Sequence, residues 1–349
     1  MIERATATID LHAFRENVRV LASLAAPAEV MLAVKANAYG HGVIELSHAA
    51  IDAGARSLAV LDVSTAIAIR EAGITVPLFA WLHGPHTDFA AAAEHEIDLG
   101  ISSEWQIAAI RAAAPGGGTR VHLKIDTGLS RNGASAQDWP GLVKAALAAQ
   151  HAGDVTIVAA WSHLADASVD EDALALSKLH EAVAVAKELG CEFANLHLAA
   201  SSAGIREPEA RLSFVRFGIA AYGISPFDDE TGTQLGLTPV MTLESQVIAV
   251  EGTTATVSFG FGDGIHAPAL PQAEVQSKNG RHKILQLDVD SMVIDVGANN
   301  LVPGDTITVF GTGLSGEPTA EEWALCASTI GDEIVSRVAL RVPRVYINR

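Results

Sequence analysis

From residue 30 to about residue 220 the chain alternates short apolar runs with longer stretches of helical periodicity, eight times over, and this restricts the fold more than any other feature. The runs are Met31–Val34, Ser57–Val60, Pro77–Trp81, Asp98–Ile101, Arg120–Ile125, Thr156–Trp161, Asn195–Leu198 and Val215–Ile219. Between them lie Ala-rich segments such as Ser64–Ala72, Ser103–Ala114 and Asp170–Leu189, with apolar residues at helical spacing. Ser64 and Ser103 stand where helix N-caps belong, and Gly73 and Gly190 where helices stop. Strands alternating with helices predict a parallel sheet, and eight such units predict a closed (β/α)8 barrel. An open doubly wound sheet is the alternative, but no G-x-G-x-x-G follows the first strand, so a dinucleotide-binding fold has nothing specific behind it.

After about Gly236 the texture changes. Thr242–Val250, Thr254–Phe259, Lys283–Leu287, Met292–Val296 and Thr306–Phe310 are β-rich and separated by Gly and Pro-Gly turns. One helical stretch, Ala320–Ser328, interrupts them, and 341–349 reads as a final strand. The expected organisation is a barrel over residues 1–235 and an all-β domain over residues 236–349, with no long linker.

Bulk properties exclude several classes of function. The net charge is −18 with no run of Lys or Arg, which argues against nucleic acid and anionic membrane as partners. No apolar stretch reaches the length of a membrane span. Two cysteines, Cys191 and Cys326, make no disulfide framework, and MIERATATID has no apolar signal-peptide core, so a reducing, cytoplasmic location is expected. No metal site is expected.

In such a barrel the chemistry sits at the C-terminal ends of the strands. Strand one ends in Lys35 (AVKANAYGHG), and strand five in Lys124 and HLKIDTGLSRNG, with Arg131. Strand six ends in WSHLADAS, with His163, strand seven in HLAASSAG, with Ser201 and Ser202, and strand eight carries FVRFGIAAYG, with Arg216. A lysine closing an apolar strand has two readings: an amine whose pKa is lowered for imine formation, or a side chain that snorkels to the rim. Ser201, Ser202 and the backbone around Gly218 suit a phosphate in the loops after strands seven and eight, although Gly218 alone also suits a crowded strand.

AVKANAYGHG, KIDTGLSRNG, VRFGIAAYG and RVPRVY, in this order and at this spacing, resemble the alanine racemase family over nearly the whole chain. The resemblance implies pyridoxal 5′-phosphate, with Lys35 as the lysine that carries it and as the base for the D-enantiomer's α-proton. Tyr39, Tyr346, Ser201, Gly218 and Ile219 match the phosphate contacts. Arg216 matches the arginine facing the pyridine nitrogen, and His163 the histidine that supports Arg216. Arg131 matches the arginine near the phenolic oxygen and the substrate carboxylate, and Lys124 a lysine that is carbamylated in several members. The resemblance also implies a homodimer in which each site combines one barrel with the other chain's β-domain. Arginine is never readily deprotonated, so Arg216 offers the ring nitrogen a hydrogen bond rather than a proton, which favours racemisation over other chemistry.

Three positions depart from the family pattern. The tyrosine that serves as second base is Phe261 in SFGFGDGIHAP, and no tyrosine of the β-domain precedes Tyr346. Where the family has Cys-Met-Asp, this chain has Asp288-Val289-Asp290; the Val289 backbone can still hold a carboxylate, while Asp288 adds an acid nearby. Ala200 replaces an asparagine found in many members. Three readings of Phe261 follow. His266 is the substitute base, its alternative being a surface-loop histidine. Or the reaction has changed, towards weak racemisation with aldolase-like or other cofactor chemistry. Or the protein binds the cofactor without catalysis, although non-catalytic relatives lack the β-domain. The expected function is interconversion of L- and D-alanine, or of a related small amino acid, supplying D-alanine.

Overall fold

All eight apolar runs become strands of one closed parallel barrel in the computed structural model of the chain, which describes residues 5–270, 272–298 and 300–349. An earlier strand, β1 (Thr6–Asp10), lies outside it. The barrel strands are β2 (Glu29–Ala33), β3 (Ser57–Val60), β4 (Leu78–Ala80), β5 (Ile97–Ile101), β6 (Thr119–Lys124), β7 (Val155–Trp161), β8 (Asn195–His197) and β9 (Phe214–Val215). Closure is made by β2 and β9, with Glu29 opposite Phe214 and Val30 opposite Val215. β3 and β5 are buried along their whole length, as a sheet wrapped in helices requires. Met31, Ala59, Phe79 and Trp161 form a buried cluster, with Trp81 and Phe214 packed against it. Each fully buried aliphatic or aromatic side chain contributes about 1.5–3 kcal/mol, so this layer anchors the strands whose ends carry polar groups.

The helix predicted over Ser64–Ala72 is capped two residues earlier than its sequence suggests. It spans Val63–Glu71, and the carboxylate of Asp62 accepts from Thr65 N at 2.8 Å. Ser64 lies inside the helix and donates to Asp62 at 2.5 Å. A carboxylate at this end also favours the helix dipole. Ser103 does occupy its N-cap position, without a side-chain bond.

The remaining strands are β10 (Met241–Glu251), β11 (Thr254–Val257), β12 (Glu274–Ser277), β13 (Gly280–Leu287), β14 (Met292–Asp295), β15 (Thr306–Phe310) and β16 (Arg344–Ile347). They form one sheet in the order β11-β14-β13-β12-β15-β10-β1-β16, and β11 also pairs with β10, so six strands return on themselves. The predicted β segments, the helix (Ala320–Ala327) and the final strand are all present; β12 and the helix Gly331–Ser336 escaped the sequence pattern.

Compactness divides the chain differently from the line at residue 235. One unit comprises Leu21–Lys35 and Ala50–Gly218 and holds the barrel. The other comprises the segment ending at Val20, Ala36–Ala49 and Ile219–Arg349. The N-terminal segment joins the β unit because β1 pairs antiparallel with β10 and parallel with β16. Among the described residues, no helix is long and apolar enough to cross a membrane.

Candidate active site

Lys35, half-buried, follows β2 by two residues. Lys124 is the last residue of β6 and is buried, its Nζ 4.4 Å from the centroid of the Trp161 ring. Burial, then Arg216 and Arg131, pulls its ammonium down to about 7, against the opposing charge of Asp126. His163 lies two residues beyond β7. Burial, then Arg216, Arg131, Lys124 and Lys35, pushes its imidazole down to about 2. The ring is therefore neutral, and its buried Nδ1 has no hydrogen-bond partner among the described residues. The ends of β2, β6, β7 and β9 bring Lys35, Lys124, His163 and Arg216 to a single rim, with Lys124 and Arg216 both over the Trp161 ring.

Arg131 sits on an exposed turn shaped by the motif that precedes it. The Asp126 carboxylate accepts from Gly128 N and Ser130 N, both at 3.0 Å, and Ile125 bridges Ala134. This side-chain capping of a turn is what Asp does well. The Ser201 hydroxyl accepts from Gly218 N at 3.0 Å, so the two predicted phosphate contacts meet. Ser202 points elsewhere, donating to Asp166 at 2.6 Å.

Arg216 follows β9 and is buried. It donates from Nη2 to the carbonyls of Ser162 (2.9 Å) and Leu198 (2.8 Å), and from Nη1 to His197 Nδ1 (2.9 Å). Burial draws it down to about 9, still a cation at neutral pH. The histidine that supports Arg216 is thus His197, correcting the assignment to His163, which shares the rim without bonding Arg216. The reason is register: β8 ends in His197 beside β9, whereas His163 lies past the end of β7. Behind His197 stand His122 and Asp98, which sequence reasoning missed. Histidines inside otherwise apolar barrel strands (VHLK, NLHL) were the available signal.

In the β unit, the segment after Lys35 is unusual. Ala36, Asn37, Ala38 and Tyr39 all have φ between +50° and +55°. A left-handed turn costs roughly 1–2 kcal/mol per residue for side chains with a Cβ. Bonds from Gly40 N to Ala36 O (2.9 Å), Gly42 N to Asn37 O (3.0 Å) and Val43 N to Asn37 Oδ1 (2.9 Å) hold it. Strain of this kind concentrates at functional sites. Tyr39 packs on Tyr222 with ring centroids 4.9 Å apart, and burial, then Asp332, raises its phenol above the ordinary value. The Tyr346 hydroxyl lies where a Cβ on Gly42 would be, so only glycine fits there. Burial, then Glu45, pushes the Tyr346 phenol up to about 12.

The Phe261 and Asp288–Asp290 loops are tied together by backbone. Phe261 N donates to Asp288 O (2.9 Å) and Gly262 N to Val289 O (2.8 Å). A Cβ on Gly260 would collide with the carbonyls of Asp288 and Val289. Arg341 clamps both loops through Asp263 (2.8 Å) and Asp290 (2.7 Å). Phe261 and Val289 are about half exposed, at 47% and 51%. The Asp288 carboxylate accepts from Gln286 at 2.9 Å. His266 is partly buried, with Nδ1 3.9 Å from Glu333, rather than a surface-loop residue.

Two family models match the chain: alanine racemase, N-terminal domain, over residues 9–226, and alanine racemase, C-terminal domain, over residues 240–346. It is 39% identical to the alanine racemase of Beutenbergia cavernae and 40% identical to that of Salinispora tropica, each match covering 98% of both proteins. Its structure resembles the crystal structure of alanine racemase from Streptomyces lavendulae, with a TM-score of 0.95 and 37% identity over 100% of this chain and 98% of that one.

Proposed function

Because the chain belongs to the alanine racemase family, an isomerase family, we propose that it interconverts L- and D-alanine with pyridoxal 5′-phosphate at the barrel rim. The observation that carries this reading is the placing of Lys35, Lys124, His163 and Arg216 at or just past the C-terminal ends of β2, β6, β7 and β9 of the closed barrel. The residues fit an anionic cofactor: four cations, an unpartnered buried His163 Nδ1 among the described residues, and Ser201 meeting Gly218 N–H. When bound, the cofactor supplies the electron withdrawal that acidifies the substrate's α-hydrogen.

The chain's own groups do the rest. Lys35 would carry the cofactor and hold or return the α-proton of the D-enantiomer. Ser201 and Gly218, which meet on the barrel side, would hold the phosphate, a role the family resemblance also gives to Tyr39, Ile219 and Tyr346. Arg216 would donate to the ring nitrogen without surrendering a proton. Arg131 and the Val289 backbone orient the substrate carboxylate. Lys124, with its amine near 7, is suited to carbamylation, which turns a cation beside Arg131 into an anion. The functional division lies at 1–235 and 236–349, the protein is cytoplasmic, and it works as a homodimer whose sites combine one barrel with the partner's β-domain. Sedimentation tests the dimer; a fully active monomer overturns it.

Phe261 favours a second reading. It has no ionisable group where the family has its second base, so racemisation is slow, and exchange at one face or aldolase-like chemistry competes. Incubating the holoenzyme separately with L- and D-alanine in deuterated water distinguishes the readings. Deuterium incorporation with loss of chirality supports racemisation, one-sided exchange supports the second reading, and inertness leaves a cofactor-binding protein.

A further inference from the structure

Beneath the rim, four side chains from four strand regions form one buried hydrogen-bonded line. His197 Nε2 lies 2.9 Å from His122 Nδ1, and His122 Nε2 lies 3.2 Å from Asp98 Oδ2. Asp98 also accepts from Arg120 Nε at 2.8 Å. With the bond from Arg216 Nη1 to His197 Nδ1, the line runs from Arg216 beyond β9, through β8 and β6, to β5.

Every bond in this line has only one possible direction. A guanidinium has donors and no acceptor. His197 Nδ1 must therefore accept, and the ring carries its proton on Nε2. That proton is donated to His122 Nδ1, which must accept in turn. His122 then carries its own proton on Nε2 and donates it to Asp98, whose other oxygen faces Arg120, an arrangement that both oxygens satisfy best as a carboxylate. Burial works to raise the Asp98 carboxyl, but His122 and Arg120 outweigh it and hold it below the usual value. Burial, then Arg216, His122 and Lys124, keeps His197 far below its ordinary value, consistent with a neutral ring. Aromatic rings wall the line. Phe79 stacks on His122 at 4.6 Å, and Trp161 lies parallel to His197 at 5.4 Å.

Taking the reading in which Arg216 faces the cofactor ring, we propose that Asp98, His122 and His197 are positioning residues: a one-way hydrogen-bond relay that locks Arg216 as a donor. A proton moved to His197 Nδ1 would set donor against donor at the guanidinium, so neither imidazole can pass a proton toward the site. The carboxylate polarises both rings and strengthens the grip on Nη1. The carbonyls of Ser162 and Leu198 fix the guanidinium plane. Nε–H is then left without a partner among the described residues, available to donate into the site.

Two measurements test the relay. The first needs no cofactor: long-range nitrogen–proton NMR on the apo protein with ¹⁵N-labelled histidine. His122 and His197 are both expected neutral and protonated on Nε2 at neutral pH. A proton on Nδ1 of either ring, or a doubly protonated ring, overturns the proposal. The second uses the holoenzyme and compares keto acid released by transamination with alanine racemised. His122→Phe keeps an aromatic ring against Phe79 but cuts the line. It is expected to raise the transamination share roughly tenfold, the size of one lost hydrogen bond, while His197, still facing the guanidinium, keeps its proton on Nε2. Asp98→Asn retains an acceptor, so the tautomers should persist and the share should rise less, on the order of threefold. If both variants move only the melting temperature, with partitioning unchanged, the line is packing and the proposal fails. Failure of the holoenzyme to form overturns the reading beneath the proposal, whereas wrong tautomers in a chain that does load cofactor overturn the relay alone.

Discussion

The barrel rim and the Phe261 loop are held in opposite ways. At the rim, it is a side chain that is held: Arg216 is fixed by the His197 ring and two backbone carbonyls, and His197 by His122, which Asp98 holds in turn. In the β unit, backbone holds backbone: Phe261 N–H to Asp288 C=O, and Gly262 N–H to Val289 C=O. The first arrangement fails when a residue type changes, because a buried polar group loses its partner. The second tolerates a change of side chain at the same loop shape. By this argument a change of residue type costs the fold less at Phe261 or Val289 than at Arg216 or His197.

Five substitutions break or sharpen this contrast. Lys35→Ala, at the rim, has the largest expected effect: loss of covalent cofactor attachment and at least ~10⁴-fold loss of racemisation. Borohydride reduction and peptide mapping of the wild type should label Lys35, and a label on Lys124 instead would sink the assignment.

Lys124→Met tests the burial of the rim. The folded Lys124 sits at about 7 against an ordinary 10.5. Between those values the unfolded chain binds a proton that the folded chain does not, so wild-type stability rises with pH across that window. In carbonate-free buffer the variant should be more stable than the wild type at and below neutral pH, by on the order of 3 kcal/mol. The difference should vanish above pH ~10.5. Denaturant unfolding at several pH values reads this; a pH-independent difference means the amine is not desolvated.

Phe261→Tyr, on the tolerant side, should raise racemisation by about 10²-fold, the low end of the ~10²–10⁴-fold that a positioned general base contributes, because Asp288, whose backbone carbonyl accepts from Phe261 N–H, adds an acid to the adjoining loop. An equally weak variant would mean that the altered Asp288–Asp290 stretch has changed the substrate, which a screen of basic and hydroxy amino acids would reveal. Arg341→Leu removes the clamp, leaving Asp263, with its 6% exposed side chain, without its partner. The expected fall in melting temperature is roughly 2–4 °C, read by calorimetry, with cofactor attachment at Lys35 intact. His266→Ala should change activity least, within about threefold, because its Nδ1 lies toward Glu333. Abolished activity would instead make His266 the substitute base.

The strands, most helices and the ends that carry Lys35, Lys124, His163, Ser201 and Arg216 were legible because each is a short-range pattern of apolar period and strand end. The left-handed turn of Ala36–Tyr39 was not, since only Asn37 among its residues is at ease in that conformation. Nor was the role of β1, whose partners lie more than 200 residues away in the chain.

What the sequence by itself determined is therefore the barrel, the β-rich second part, the family and a side chain without an ionisable group at position 261. All of these are written in local periodicity, in motifs, or in one residue's chemistry. Only the tertiary structure decided that His197 rather than His163 supports Arg216, that Asp98 and His122 stand behind it, and that Arg341 ties the Phe261 loop to Asp290. Those pairings depend on strand register and on where the closed barrel turns each side chain. A one-residue change in register sends a side chain to the opposite face, and no local pattern records which residues from distant strands then meet.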